Sequence, residues 1–388
     1  MIYRTSARFE LEAVRLLFVC GTLEPAKSGV ADFITALARE LSTRGVHCAC
    51  LALHDPFIQA AESPPVLLST QDGIEIRRIP ADLPWNRKAK LFKAQLDDLQ
   101  PEWISLHYVP YAYNAKGLSF ALLSSLFPLR HRAKWEVTAH ELWIDPGSSF
   151  RNRIISRLQR HILRRLCSRL KPAAVHVTNH CYQAQLGQYG VQASILPLFS
   201  SIPLCPLRSS FNRSGFVSQW TFLLFGSINR DWQPEPLFEQ IEVARRVHNI
   251  QSCRFVSVGQ VGDYGATLWD SLQDLPYPAF EFSRLGLLPA ERVSEQLQLA
   301  DFGICVAPSV LVDKSSAVAA MLAHGLPVII SRLSPGCEPW HQQLRRSGHY
   351  ILLDSSFVER LGAAQKYQPV DQLEDTVHRF VEALCLAP

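Results

Sequence analysis

Residues 301–330, DFGICVAPSVLVDKSSAVAAMLAHGLPVII, constrain this chain more than any other stretch. The apolar run from Phe302 to Ala307 lacks polar alternation, which is the pattern of a strand buried on both faces. A loop closing on Asp313-Lys314-Ser315-Ser316 then opens an alanine-rich helix. His324-Gly325-Leu326-Pro327 ends that helix and starts another strand. This is a crossover unit of a parallel sheet. Its helix start offers unpaired backbone N–H groups, two hydroxyls and an ammonium, the chemistry that holds a phosphate. The plainer reading, a capped crossover with a surface lysine, stands beside it.

The same alternation runs through the whole chain, so the fold is α/β with parallel sheets and helices on both faces. Strands are expected at 15–20, 48–53, 74–79, 103–107, 135–138, 174–178 and 194–198, with a helix over 30–44. Over 199–219 the periodicity gives way to Ser, Pro and Arg. It restarts with strands near 221–225, 254–258, 280–282, 302–307, 328–331 and 350–353. Domains are therefore expected at 1–200 and 220–365, with a linker at 201–219 and a C-terminal helix within 366–388. Each is a doubly wound, Rossmann-like domain. Two in tandem make a cleft where strand ends face each other, and ligands bind at such ends.

A chain of 388 residues has room for two such cores. Its net charge of +4 is too mild for a dedicated nucleic-acid binder. Ten cysteines are scattered without a CxxC or zinc spacing, and Cys48 and Cys50 read as buried thiols of a reducing cytoplasm. The opening MIYRTSARFELEAVRLL lacks the apolar core of a secretory signal, and no stretch has the length of a membrane span. No GxGxxG follows the first strand, which argues against a nicotinamide dehydrogenase.

Four motifs resemble those of GT-B glycosyltransferases, closest to the large family-4 retaining group. The first is Lys27-Ser28-Gly29-Val30-Ala31-Asp32-Phe33 with its following helix. The second is Val137-Thr138-Ala139-His140-Glu141, and the third is Phe225-Gly226-Ser227. The fourth joins Leu297-Gln298-Leu299-Ala300-Asp301-Phe302-Gly303 to Ala323-His324-Gly325-Leu326-Pro327-Val328-Ile329. The chain departs from the family where it usually carries two glutamates, because Val312 and Ala320 stand there. Asp313 is one residue from the first position. Of the basic pair that resemblance places after the first donor-domain strand, only Arg230 remains.

The resemblance implies transfer of a sugar from a nucleotide-diphosphate sugar to a glycan or lipid-linked acceptor hydroxyl, with retention and without a metal or other cofactor. Such transfer needs the leaving diphosphate stabilised and the acceptor oriented away from water. Gly29, Gly226, Ser227, Arg230, Gly259, Asp313, Lys314, Ser315 and Ser316 are the candidates for the donor phosphates and nucleotide. His140 and Glu141 are the candidates for the reacting centre, although His140 also reads as a core histidine and Glu141 as a cap. His107, Tyr108 and Tyr111 follow another strand and are candidates for acceptor contact or for packing. Asp231 and Trp232 fall in a donor-side loop.

Residues 151–171 carry eight Lys/Arg and no acid, with apolar residues at helical spacing. That is either a peripheral contact with anionic lipid at the inner membrane face or a core helix with a solvated basic side. A catalytically silent GT-B protein that binds a sugar nucleotide or a partner transferase is the alternative to a transferase. A sugar-nucleotide 2-epimerase is a third reading, short of the carboxylates it needs.

Overall fold

A computed structural model describes residues 14–25, 27–61, 64–126, 132–145, 147, 149–206, 218–369 and 372–386. Most of the N-terminal segment read for a secretory signal, and most of the expected linker, lie outside these residues.

The chain divides into two compact units, residues 1–197 with 374–388, and residues 198–373. The first holds an eight-stranded sheet. Its strands are β1 (Arg15–Cys20), β2 (His47–Asp55), β3 (Leu67–Gln71), β4 (Ile74–Pro80), β5 (Trp103–Tyr108), β6 (Lys134–Ala139), β7 (Ala174–Val177) and β8 (Ser194–Ile195). They are ordered β3-β4-β2-β1-β5-β6-β7-β8. All pairings are parallel except the outer β3–β4 hairpin. The second unit holds β9 (Gln219–Phe225), β10 (Ser252–Val258), β11 (Phe280–Gly286), β12 (Phe302–Pro308), β13 (Val328–Arg332) and β14 (Tyr350–Leu352). Their order, β11-β10-β9-β12-β13-β14, reads 3-2-1-4-5-6 and is parallel throughout. In each unit the order reverses beside the first strand, which is where doubly wound sheets take ligands.

Two expectations change. The C-terminal helix Gln372–Leu386 is not a separate appendage, because from Glu374 onward it belongs to the first unit. Phe380 packs on Phe18 and His176, and Thr376 donates to the Pro197 carbonyl at 3.0 Å. The segment from Leu198, expected as linker from 201, belongs to the second unit, where Cys205 N bonds Ser294 Oγ at 3.0 Å.

The fourth motif is architectural. Asp301 accepts from Thr221 N at 2.7 Å, pinning the entry of β12 to that of β9. A Cβ on Gly303 would lie 2.5 Å from Met321 Sδ, so glycine is what lets the helix Ser316–Ala323 settle on β12. Gly325 sits at φ +75, and a Cβ there would lie 2.1 Å from the Tyr367 carbonyl oxygen. The His-Gly-Leu-Pro turn thus holds the outgoing chain against the sheet.

Candidate functional site

In the first unit the strand ends carry a buried polar network. Ser105 and His107 on β5 face Glu136 and Thr138 on β6, and Thr138 faces His176 on β7. Alternate residues of a strand share a face, so these five and His140 line one side of the sheet. His107 Nδ1 lies 2.8 Å from His140 Nε2, with the rings stacked at 5.1 Å. His107 Nε2 lies 3.1 Å from Ser105 Oγ, and the Ser105 hydroxyl donates to Glu136 Oε2. Glu136 Oε1 accepts from Thr138 Oγ1 at 2.7 Å and meets His176 Nδ1 at 2.8 Å. Burial holds the His107 imidazole well below its ordinary pKa, with His140 and His176 adding to the effect.

The helix Gly29–Thr43 covers this network. Its Phe33 ring meets His140 edge-on at 5.3 Å. Ser28 caps the helix by accepting from Ala31 N at 3.4 Å. A Cβ on Gly29 would meet nothing within 4 Å, so the fold itself does not demand glycine there.

Five N-terminal candidates separate. His107 and His140 come together and are both buried. Glu141, next along the chain, is partly exposed. Tyr108 is a correction, because it points to the opposite face of the sheet. It is fully buried, and its hydroxyl meets Ser119 Oγ at 3.0 Å, so it packs the core and touches no acceptor. Tyr111 is 43% exposed and packs its ring over Gly117.

In the second unit three strands end in left-handed glycines. Gly226 closes β9 at φ +86, Gly259 follows β10 at φ +92, and Gly286 ends β11 at φ +67. Gly226 N donates to Val258 O at 2.9 Å and Gly259 N to Gly286 O at 2.7 Å. A Cβ on Gly259 would crowd Gly226 N at 3.3 Å, whereas one on Gly226 would meet nothing within 4 Å, so Gly226 is called for by its positive φ and Gly259 by both φ and space. Ser227, Arg230 and Asp231 on the following loop are exposed. Trp232 is instead 1% exposed, in the hydrophobic core, with its indole N–H on Ser331 Oγ at 3.0 Å.

Beyond β12 the expected loop is a 3-10 turn, Ser309–Lys314. Its first residue is clamped: Ser309 Oγ accepts from Ser334 N at 2.9 Å, and Trp340 Nε1 donates to Ser309 O at 2.8 Å. Ser315 caps the helix Ser316–Ala323 by accepting from Val318 N at 3.3 Å, so part of its expected phosphate chemistry serves the fold. Asp313 and Lys314 are partly exposed, and Ser316 is exposed. Val312 and Ala320 are buried in the core, which leaves no room there for the family's glutamates.

Residues 28–197 match the family described as "Glycosyl transferase 4-like domain". Over these residues the N-terminal unit is similar to that family. The whole chain has the GT-B fold. It resembles the catalytic domain of starch synthase IV from Arabidopsis thaliana bound to ADP and acarbose. That likeness has a TM-score of 0.52 at 10% identity, over 97% of this chain and 99% of that one. OtsA in its apo structure matches with a TM-score of 0.53 at 11% identity, over 96% and 95%. A putative UDP-N-acetylglucosamine 2-epimerase from Listeria monocytogenes matches with a TM-score of 0.54 at 10% identity, over 96% of each chain. No curated protein matches the chain by sequence.

Sequence reading passed over three parts of the buried polar network of the first unit, namely Ser105, Glu136 and His176. A signal existed: SLH, EVTAH and VHV put a polar residue at every second position of strands otherwise buried on both faces. In the second unit it passed over Arg332, which ends β13 and donates to the Val306 carbonyl at 3.3 Å.

The basic segment forms the helix Phe150–Leu170, capped by Ser149. Ile162, Leu163 and Leu166 are buried. Phe150 at 72% and Ile154 at 43% are exposed, so the apolar residues at its start do not cover the sheet. Further along, His161, Arg164, Arg165, Lys171, Tyr189 and Gln192 line a basic groove. Among the described residues no helix is long and apolar enough to cross a membrane, and no group of three His, Cys, Asp or Glu is placed to hold a metal ion.

Proposed function

We propose that this chain is a glycosyltransferase that moves a sugar from a nucleotide-diphosphate sugar to an acceptor hydroxyl, with retention and without a metal. The observation that carries this reading is the match of residues 28–197 to glycosyl transferase 4-like domains. In it, Lys314, Ser316 and the N–H groups of the helix Ser316–Ala323 take the leaving diphosphate, where negative charge develops. Arg230 and Arg332 are further cations for the same load. Asp313 and the Ser315 hydroxyl proton are left to orient the sugar or the phosphates. Gly226, Ser227 and Gly259 form the strand-end bed for the nucleotide. Gly29 leaves its side of the helix start open to the donor, and His140 with Glu141 meets the reacting sugar. Tyr111 offers an exposed ring to the acceptor. The acceptor is a glycan or a lipid-linked sugar at the cytoplasmic face of a membrane, where Phe150, Ile154 and the arginines beside them rest on anionic lipid.

A second reading rests on Val312 and Ala320. With both glutamate positions apolar and buried, the chain is a GT-B protein that binds a sugar nucleotide, or a partner transferase, without turnover. A 2-epimerase would release an altered sugar nucleotide with no acceptor present.

A thermal-shift screen against UDP, GDP, ADP, CMP and TDP and their sugars tests the proposal. A ligand at about 100 times its dissociation constant stabilises by about 2.7 kcal/mol, enough for a visible rise. The expected result is a shift with one base, followed by sugar transfer to added acceptor. Binding without transfer favours the silent reading, and no shift at all removes the donor site.

A further inference from the structure

The first unit carries a second concave feature, away from the histidine network. The groove lined by His161, Arg164, Arg165, Lys171, Tyr189 and Gln192 has a volume of about 700 Å³. Lys171 and Pro172 precede β7, and Gln192 precedes β8, so the groove opens at the amino ends of those strands. His140 follows the opposite, carboxyl end of β6. Doubly wound sheets take their usual ligands at carboxyl ends, so that habit does not account for this groove.

Its charge is unbalanced. The lining holds Arg164, Arg165, Lys171 and His161 and no acid. Elsewhere in the unit arginines pair with carboxylates, as Arg15 does with Glu102, Arg39 with Asp72 and Arg78 with Asp55. Among the described residues no acid pairs with Arg164, Arg165 or Lys171. Like charges gathered this way repel one another until an anion joins them. The dipole of the helix Phe150–Leu170 favours cations only in its last turn. It accounts for Lys171, but Arg164 and Arg165 lie more than a turn before the helix ends.

One of these arginines is also held in place. Arg160 donates to the Tyr189 hydroxyl at 2.7 Å and to the Ser156 carbonyl at 3.2 Å. Trp143 meets the Tyr189 ring edge-on at 5.6 Å. Against the ring so fixed lies the Arg164 guanidinium, 5.7 Å from its centroid. A guanidinium stacked on an aromatic face keeps its N–H edge for a ligand. Pro172, Val175 and Val191 add apolar lining beside it, where water competes less for a charge-assisted bond. We propose that this groove is a binding site whose ligand carries a phosphoryl group. A phosphoryl dianion matches the Arg164 fork together with the charges of Arg165 and Lys171, whereas a single carboxylate leaves most of that charge unmatched. The group comes either from a soluble polyphosphate or from a phospholipid headgroup, and neither source rests on the transferase reading.

Two measurements on the full chain separate the sources: titration calorimetry with tripolyphosphate, and sedimentation with vesicles of neutral lipid carrying phosphatidic acid. Binding to the first alone assigns a soluble ligand, binding to the vesicles alone assigns a headgroup, and binding to both leaves phosphoryl recognition as the shared property. In each case Arg164→Gln combined with Arg165→Gln should weaken the binding by about tenfold or more. Arg164→Lys keeps the charge but loses the planar fork, and should weaken it severalfold. Both arginines are exposed, so these variants should keep the wild-type thermal transition. Absence of binding to both probes overturns the proposal. So does binding that the double variant leaves unchanged, which places the anion elsewhere in the chain. Arg164→Lys equal to wild type overturns it as well, because diffuse positive charge would then suffice.

Discussion

Lys314 and His54 show how single side chains acquire measurable roles from their surroundings. Lys314 ends the 3-10 turn just before a helix start, so a diphosphate there would gain a charge-assisted contact. Lys314→Ala should weaken nucleotide-diphosphate binding by about 1.5–3 kcal/mol in titration calorimetry, and an unchanged affinity would take Lys314 out of the site. His54 stacks on Trp85 with the buried Lys88 ammonium beside it. Desolvation first, and the Lys88 charge second, push its imidazole down to about 4. The unfolded chain, with an ordinary imidazole, binds a proton between about pH 6.5 and 4 while the folded one does not. Stability should therefore be full above that window and fall as pH drops through it. His107, lowered in the same direction, adds to the fall. Denaturant unfolding across that range should show a shallower decline for His54→Gln than for wild type, and parallel curves would refute the assignment.

At the scale of elements, the strands and helices were legible because burial and turn chemistry act locally. The edge strand β3 was not read, since its Leu67–Gln71 is mostly exposed and lacks an apolar face to betray it. The Asp72-Gly73 turn behind it, with φ +51 and +80, was the one available signal. β8 closes after Ile195 rather than at 198, as a following Pro197 has no N–H for a ladder. The helix Phe150–Leu170 was read correctly as amphipathic, but which of its apolar residues face the core depends on where the sheet stops. Its exposed Phe150 and Ile154 beside Arg151, Arg153 and Arg157 give an element-scale prediction. The chain should sediment with vesicles rich in anionic lipid and not with neutral ones. Phe150→Glu combined with Ile154→Glu should abolish that binding; equal sedimentation of the variant would show that charge alone, or nothing specific, holds it.

For the whole molecule, the returning helix matters most. Phe380 is fully buried against Phe18 and His176, so the last residues of the chain complete the core of the first unit. Phe380→Ala should cost about 3–5 kcal/mol, the usual penalty for emptying a buried aromatic site. Calorimetry should show the loss in the transition of the N-terminal unit; a loss confined to the other transition would contradict the division. Sequence by itself determined two parallel doubly wound sheets, the turns that end their strands and the helix starts beside them. These follow from periodicity and from residues such as Gly226, Gly259 and Gly325 whose conformations are set within a few positions. Only the tertiary structure decided which polar groups meet. Ser105 and Glu136 are 31 positions apart, and His107 and His140 are 33. They join because β5 and β6 lie side by side in a register that sets alternate residues face to face. Strand order is a property of the assembled sheet, fixed by where every crossover packs, and no local pattern carries it.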